Sequence, residues 1–418
     1  MRNIKVFKIG GSILCEPTDF LKIAKKITRD TINNICIVTS AMKGKTSELI
    51  EAFLETVPQP GFWDFERFAS LGEIQSTLLF ESTFNSLGIM AKAILPWMRE
   101  WPLFISLQNT RSLSVEKTNE KRNFQVLDKS IKKIKKYIRP LFKRYRVLII
   151  PGFIAKDSKN RIVTLGRGGS DISALLLSEL LKAKELVLIK EVNGVMNLDP
   201  NLYPQATRIK TLDAEKLGLI ASSGAQVLHP ISLKHQKSLK KIRVTSVEAD
   251  IHDEAGTEIS FNKEVTVVSL PTAYSVLTFV GNRIPETPGL LSKISTVLAR
   301  NNISIYSITI SENLIALYVE KGEGEIAYKL LSPILNKLNN LEFLNLKKNI
   351  GKVLVRSLKF INEPGAIRKI VVPISKRGIN IWEILTAHTD VMVFVEHKDL
   401  NSTFNIIRQL FARERSKK

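Results

Sequence analysis

The chain has 418 residues, 44% hydrophobic and 24% charged, the balance of a soluble globular protein large enough for two or three domains. No apolar run reaches the roughly 18 residues of a membrane span, and two cysteines, Cys15 and Cys36, exclude a disulfide framework and show no metal-type spacing. The net charge of +22 admits nucleic acid, anionic lipid or an anionic substrate as partner.

The N-terminus, MRNIKVFKIGGSILC, reads as a first strand and not a signal peptide, and a reducing cytoplasm fits the cysteine usage. At the strand's end Lys8 is a point charge for phosphate oxygens, and Gly10 and Gly11 offer backbone donors. NICIVTS is the next strand. It leads into TSAMKGKT, Thr39–Thr46, close to the P-loop pattern G-x-x-x-x-G-K-[ST] but with Thr39 where glycine is required. Ser40 and Thr46 remain as substrate contacts. A helical period follows in FERFASLGEIQSTLLFESTF.

Much of the excess charge lies in KSIKKIKKYIRPLFKRYR, Lys129–Arg146, where Ile131, Ile134, Ile138, Leu141 and Phe142 recur at helical spacing. The segment reads as an amphipathic helix with a solvated lysine face. No nucleic-acid module accompanies it, which disfavours a nucleic-acid partner. RVLIIPGF and ELVLIKEV are further strands. Strands alternating with helices imply parallel βαβ units, with ligands at the carboxyl ends of the strands.

VTLGRGGSDISALLLSELL, Val163–Leu181, carries the strongest chemical signal. The opening amides of the helix lack internal partners and its dipole is positive there. Glycines let an anion approach the backbone. Arg167 adds a planar fork for a carboxylate or phosphate. Asp171 is wrong for a bare anion but right for a magnesium ion that neutralises phosphates. A plain N-cap at Ser170 or Asp171 would need less than GRGGSD. No nucleophile–base pair stands out, and the five histidines are scattered. Phosphoryl transfer to a carboxylate, already ionised at neutral pH, needs no base.

The C-terminal part contains a repeat. ETPGLLSKISTVLARNNISIYSITIS from Glu286 and NEPGAIRKIVVPISKRGINIWEILTA from Asn362 share register, with Pro288 on Pro364, Gly289 on Gly365 and Asn302-Ile303 on Gly378-Ile379. Each copy reads as strand, Pro-Gly turn, helix, polar turn and strand, followed by LIALYVE or VMVFVEH. Two copies should pack side by side to cover a sheet face and edge. Pro373 should kink or shorten the second helix. The boundary with the first part falls near SFNKEVTVV.

Together KIGGS, TSAMKGKTSEL, SLGEIQS, TLGRGGSD and GAQVLHP, followed by the repeat, resemble the aspartokinases, and the likeness covers nearly the whole length. The resemblance implies an α/β fold with an amino-acid-kinase-type open, mainly parallel sheet covered by helices, over 1–262. Tandem ACT regulatory domains, βαββαβ-type and ferredoxin-like, follow at 263–350 and 351–418, with the strand 265–270 free to pair with the second. It implies transfer of the ATP γ-phosphoryl group to L-aspartate, giving 4-phospho-L-aspartate, the first step towards lysine, threonine, methionine and diaminopimelate. By resemblance Lys8 stabilises charge on the transferring phosphoryl group. Glu73 holds the substrate amino group and Arg167 its α-carboxylate. Thr46 and Ser170 add polar contacts, and Phe153 walls the pocket. Asp171 helps to organise Mg2+, which is held mainly through the phosphates. Gly10, Gly11, Ser12 and Ser40 lie along the phosphates, and Lys190, Glu191, Gly194, Met196, Asp199 and Gln226 belong to the nucleotide site. A cytoplasmic homodimer paired through the ACT domains, with an amino-acid effector there, completes the expectation.

The sequence departs from the family pattern in IKEVNGVMNLDPN, where Glu191, Met196 and Asn201 stand for an Asp, a Tyr and an Arg. Tyr306 stands where lysine-sensitive members carry an acid, which predicts weak lysine inhibition. Two alternatives stay open: a catalytically impaired ACT-domain amino-acid sensor, and a kinase for another amino acid.

Overall fold

The protein was analysed as a computed structural model that describes residues 3–29, 34–107, 122, 124–200, 202–222, 241–249, 256–260, 266–269, 272–335, 340–357, 360 and 365–416. The chain forms two compact units, Met1–Asn262 and Lys263–Lys418.

The first unit is built on an eight-stranded sheet with the order 211–213, 257–260, 241–246, 185–190, 4–9, 34–39, 147–151 and 91–93. Only the pairing of Lys241–Ser246 with Thr257–Ser260 is antiparallel. The expected open, mainly parallel sheet is present. Its central strands are apolar throughout because helices cover both faces. Asn34–Thr39 and Val147–Pro151 are buried at every residue.

Side-chain alternation decides what each face carries. On Ile4–Ile9, Phe7 and Ile9 enter the core shared with helices Pro17–Ile27 and Leu71–Ser86, where Phe20, Phe80 and Phe84 pack. Lys8 therefore points to the other face, against which helix Gly169–Leu181 lies. Val187 and Ile189 belong to the first core, so Lys190 likewise points to the face shared with Lys8. The charged pair is thus aimed by strand period alone.

The basic segment is helical: Asp128–Lys133 continues through a π-helical turn, Ile134–Ile138, into Arg139–Leu141. Ile134, Ile138 and Phe142 are buried, whereas Ile131 is exposed. Its apolar stripe is narrower than the sequence spacing predicts.

The second unit is a seven-stranded antiparallel sheet crossed by four helices. Its first half runs Tyr274–Gly281, helix Leu290–Arg300, Ser307–Ser311, Leu314–Glu320, helix Gly324–Leu335 and the start of Leu341–Arg356. The second half uses the end of Leu341–Arg356, helix Ala366–Ser375, Ile381–Ala387, Asp390–Glu396 and helix Leu400–Ser416. Each half has a βαββαβ order in space, because Thr266–Ser269 pairs with Val353–Arg356 and supplies the last strand of the second half. Strand Leu341–Arg356 serves both halves and runs through position 350 without a break. The repeat register is visible in the backbone: Gly289 and Gly365 cap the equivalent helices at φ 78° and 81°. Asn302 and Gly378 both take positive φ. Pro373 lies inside its helix, which ends at Ser375. Its missing N–H falls in the last turn, where little helix remains to break.

Candidate active site

The carboxyl ends of four adjacent strands, Glu185–Lys190, Ile4–Ile9, Asn34–Thr39 and Val147–Pro151, meet helix Gly169–Leu181 at its N-terminus. A cavity of about 530 Å3 opens there, lined by Lys8, Ser40, Thr46, Glu73, Phe153, Arg167, Ser170 and Asp171 together with Gly166, Gly168 and Gly169. The structure brings these eight residues together from five separate segments of the sequence. The three lining glycines are additional, and the signal for them was the GRGG run itself.

Local chain geometry builds the rim. Hairpin strands Ile154–Lys156 and Ile162–Thr164 return the chain so that Leu165 N–H donates to the Phe153 carbonyl at 2.8 Å. Phe153 itself sits at φ 67°, a conformation that disfavours a side chain and recurs at functional sites. Gly166 and Gly168 also take positive φ, at 72° and 76°, and Gly168 caps the helix. A Cβ on Gly169 would come within 2.6 Å of the Phe153 ring, so only glycine lets the ring close that wall.

Charge is concentrated in one ion-paired group. Lys8 Nζ is 2.8 Å from Asp171 Oδ1, and Lys190 Nζ is 3.4 Å from Oδ2. Burial pushes the Asp171 carboxyl up, but Lys8 and Lys190 outweigh it and hold it at about 2. Burial pulls Lys8 below the ordinary lysine range, opposed by Asp171 and reinforced by Lys190. The Lys8 contact lacks hydrogen-bond geometry, so the buried Oδ1 accepts no hydrogen bond.

Glu73 opens helix Leu71–Ser86 and is only 4% exposed. Burial raises its carboxyl to about 8, against the lowering effect of the Ala41 backbone N–H. Its Oε2 is buried without a partner. Arg167 is exposed, with no ion pair among the described residues. A buried acidic receptor and a guanidinium thus share a cavity with a lysine–aspartate pair, a pattern suited to a zwitterion beside a polyanion.

The remaining expected residues lie around this cavity or apart from it. Gly10 is buried beside Lys8, Gly11 opens the short helical turn Gly11–Ile13, and Ser12 is exposed within it. A Cβ on Gly11 would stand 2.6 Å from the Ala41 carbonyl. Glu191, Gly194, Met196 and Asp199 belong to the turn around Val195–Met196, which pairs with Arg208–Ile209, and none of them lines the cavity. Gly194 is buried at φ 104° against Thr257, while Glu191 and Asp199 are exposed. Gln226, the GAQVLHP segment around it and Asn201 lie outside the described residues.

One element of the site had no sequence signal. Glu66 is fully buried and pairs with Arg122 through contacts of 2.6 and 2.7 Å. Arg122 also donates to the Thr164 carbonyl at 2.8 Å, and Thr164 N–H donates to Glu66. This clamp holds the strand that feeds Leu165 and the glycine loop. In the sequence Glu66 and Arg122 are ordinary charges far apart.

Comparisons with known proteins agree with this architecture. The model of the Amino acid kinase family matches residues 3–246. An aspartokinase of Thermus thermophilus is 25% identical over 97% of this chain and 98% of its own length. An aspartate kinase of Pseudomonas putida is 26% identical over 97% of both. The crystal structure of an aspartate kinase from Synechocystis superposes with a TM-score of 0.69 at 22% identity, covering 98% of this chain and 69% of that one. That of E. coli aspartokinase III in complex with aspartate and ADP gives 0.53 at 19% identity, covering 97% and 99%. By its sheet, its glycine loop at the head of a buried helix and the match over residues 3–246, the chain belongs to the amino acid kinase family.

Proposed function

We propose that the protein is an aspartate kinase, transferring the γ-phosphoryl group of ATP to the side-chain carboxylate of L-aspartate. The observation that carries this reading is the convergence of Glu73, Arg167, Lys8 and Asp171 on one cavity. The names of the full-length relatives support it.

Glu73 receives the substrate ammonium at its free Oε2, and Arg167 pairs with the α-carboxylate. These contacts leave the side-chain carboxylate directed towards Lys8 and the helix N-terminus. The acceptor is already ionised, so the protein supplies position and positive charge rather than a base. Lys8 and the opening amides of helix Gly169–Leu181 stabilise the oxygens of the transferring group. Asp171 keeps Lys8 and Lys190 in place. Among the described residues no cluster of three or more His, Cys, Asp or Glu side chains forms a metal cage. Asp171, a buried carboxylate beside Lys8 at the head of the helix, would hold a magnesium ion carried mainly by phosphates. Bound there, the ion would neutralise phosphate charge. Phe153 shields the reacting groups from water.

The second unit acts as the regulatory part, with an amino acid as effector. Its edge strands Ser307–Ser311 and Ile381–Ala387 offer backbone groups for pairing with a second copy.

Purified protein incubated with Mg-ATP, L-aspartate and hydroxylamine should yield the aspartyl hydroxamate. Lys8→Ala and Glu73→Ala should each abolish it. A sensor without catalysis would bind an amino acid and give no hydroxamate with any nucleoside triphosphate. Hydroxamate formation with another acidic amino acid in preference to aspartate would favour a different substrate.

A further inference from the structure

A second cavity of the first unit, about 1050 Å3, lies away from the phosphoryl-transfer site. It is at the opposite, amino-terminal edge of the same sheet, where Ile4 begins the first strand and Leu181 ends helix Gly169–Leu181. Five cationic side chains line it: Lys135, Arg139 and Lys143 from the basic helical segment, and Lys182 and Lys184 beyond the helix end. Among the described residues no carboxylate lines it. Lys135 and Arg139 lie about one turn apart in the helical segment, and Lys143 lies in the turn that follows it. The lysine face is solvated, as the sequence spacing implies, with Lys132, Lys135, Lys136 and Lys143 exposed, and part of it borders this concavity.

We propose that this cavity is a second anion site, taking a small multiply charged molecule with an apolar body, of the nucleoside-diphosphate kind. Ile4, Pro140, Phe142 and Leu181 add apolar surface to the lining, which suits a base or other flat body. Its cationic side chains, four of them exposed lysines, suit phosphates. The volume matches small-molecule sites. Arg139 donates to the Leu181 carbonyl at 3.0 Å, while its Nε is buried with no hydrogen-bond partner. That leaves a directed donor unsatisfied in the empty protein, at a cost that an acceptor would relieve. The negative end of helix Gly169–Leu181 opposes an anion with about half a charge, and Arg139 already covers one of its carbonyls. Five positive charges exceed that opposition. A nucleic acid would favour an extended groove with aromatic stacking platforms, whereas this site is a cavity with one ring, Phe142.

The test uses the full-length protein and a fluorescent N-methylanthraniloyl-ADP probe, with bound equivalents counted at saturation. The triple variant Lys135→Gln, Lys143→Gln and Lys184→Gln removes charge from side chains outside the phosphoryl-transfer cavity. It should lose one bound equivalent relative to the unaltered chain and keep full hydroxamate-forming activity. Lys8→Ala should keep that equivalent, so failure of the kinase reading and failure of this one are separable. Inorganic tripolyphosphate should displace the probe from the site in Lys8→Ala, more weakly as salt rises. The proposal is overturned if the triple variant keeps every equivalent. It is equally overturned if only a single-stranded oligonucleotide, and no nucleotide or polyphosphate, binds in a way the triple variant abolishes.

Discussion

Glu73 is where folding and function conflict. Its carboxyl sits at about 8 because burial opposes ionisation. A folded-state value above the unfolded one means that the group costs nothing below the unfolded value, near 4.3, and that stability falls as pH rises from there to about 8. At pH 7 the cost is about 3 kcal/mol. Glu73→Gln should therefore raise the thermal midpoint while abolishing hydroxamate formation, and calorimetry beside the activity assay checks both. On the proposed assignment the substrate ammonium binds the ionised form, so binding releases a proton. KM for aspartate should fall as pH rises from 6 towards 8, and a KM–pH profile that stays flat would contradict the assignment. The residue type at position 73 came from the resemblance. Its burial and raised pKa were not legible, because Ala41 and the strand ends that enclose it come from elsewhere in the chain. The same holds for Glu66 and Arg122, whose partnership exists only in three dimensions. Glu66→Gln leaves Arg122 buried without its counter-charge and should destabilise the first unit by about 3–5 kcal/mol in denaturant unfolding.

Among the elements, the segment from Gly152 to Leu181 shows what local sequence can carry. GRGGSD followed by an apolar run predicts a helix with an exposed amide end, and the helix begins at Gly169. The need for glycine at 169 is different in kind: it comes from the Phe153 ring, packed there by the hairpin between. Gly169→Ala should push the ring aside and lower kcat/KM by at least about tenfold with a smaller loss of stability, since the helix core, from Ile172 to Leu181, is untouched. Steady-state kinetics with a thermal melt would separate those effects. The basic helix is a contrasting case. Its periodicity was readable, but a lysine face looks the same in sequence whether it borders open solvent or a cavity.

For the whole molecule, the two-unit plan followed from composition and repeat, because alternating βα signals and a duplicated Pro-Gly register describe different architectures. The sharing of strand Leu341–Arg356 and the loan of Thr266–Ser269 to the second half are long-range pairings that no local pattern encodes. In the second unit Lys352 stands 4.9 Å from the Tyr274 ring and 6.0 Å from the Tyr306 ring. An ammonium already occupies the surroundings of Tyr306, and a lysine ligand would meet like charge there. Lysine titrated into the activity assay should inhibit weakly, and strong inhibition would show that the amines are neutralised at another place.

What the sequence determined by itself was periodic or contiguous: strand and helix alternation, the repeat, the glycine loops, and the direction of Lys8 and Lys190 from their strands. Each depends on residues a few positions apart, whose geometry the backbone sets. What the tertiary structure alone decided was the environment of charge. Whether Glu73 is neutral, whether Glu66 is clamped, and whether five cations face a cavity depend on desolvation, and desolvation is set by atoms that approach from distant parts of the chain.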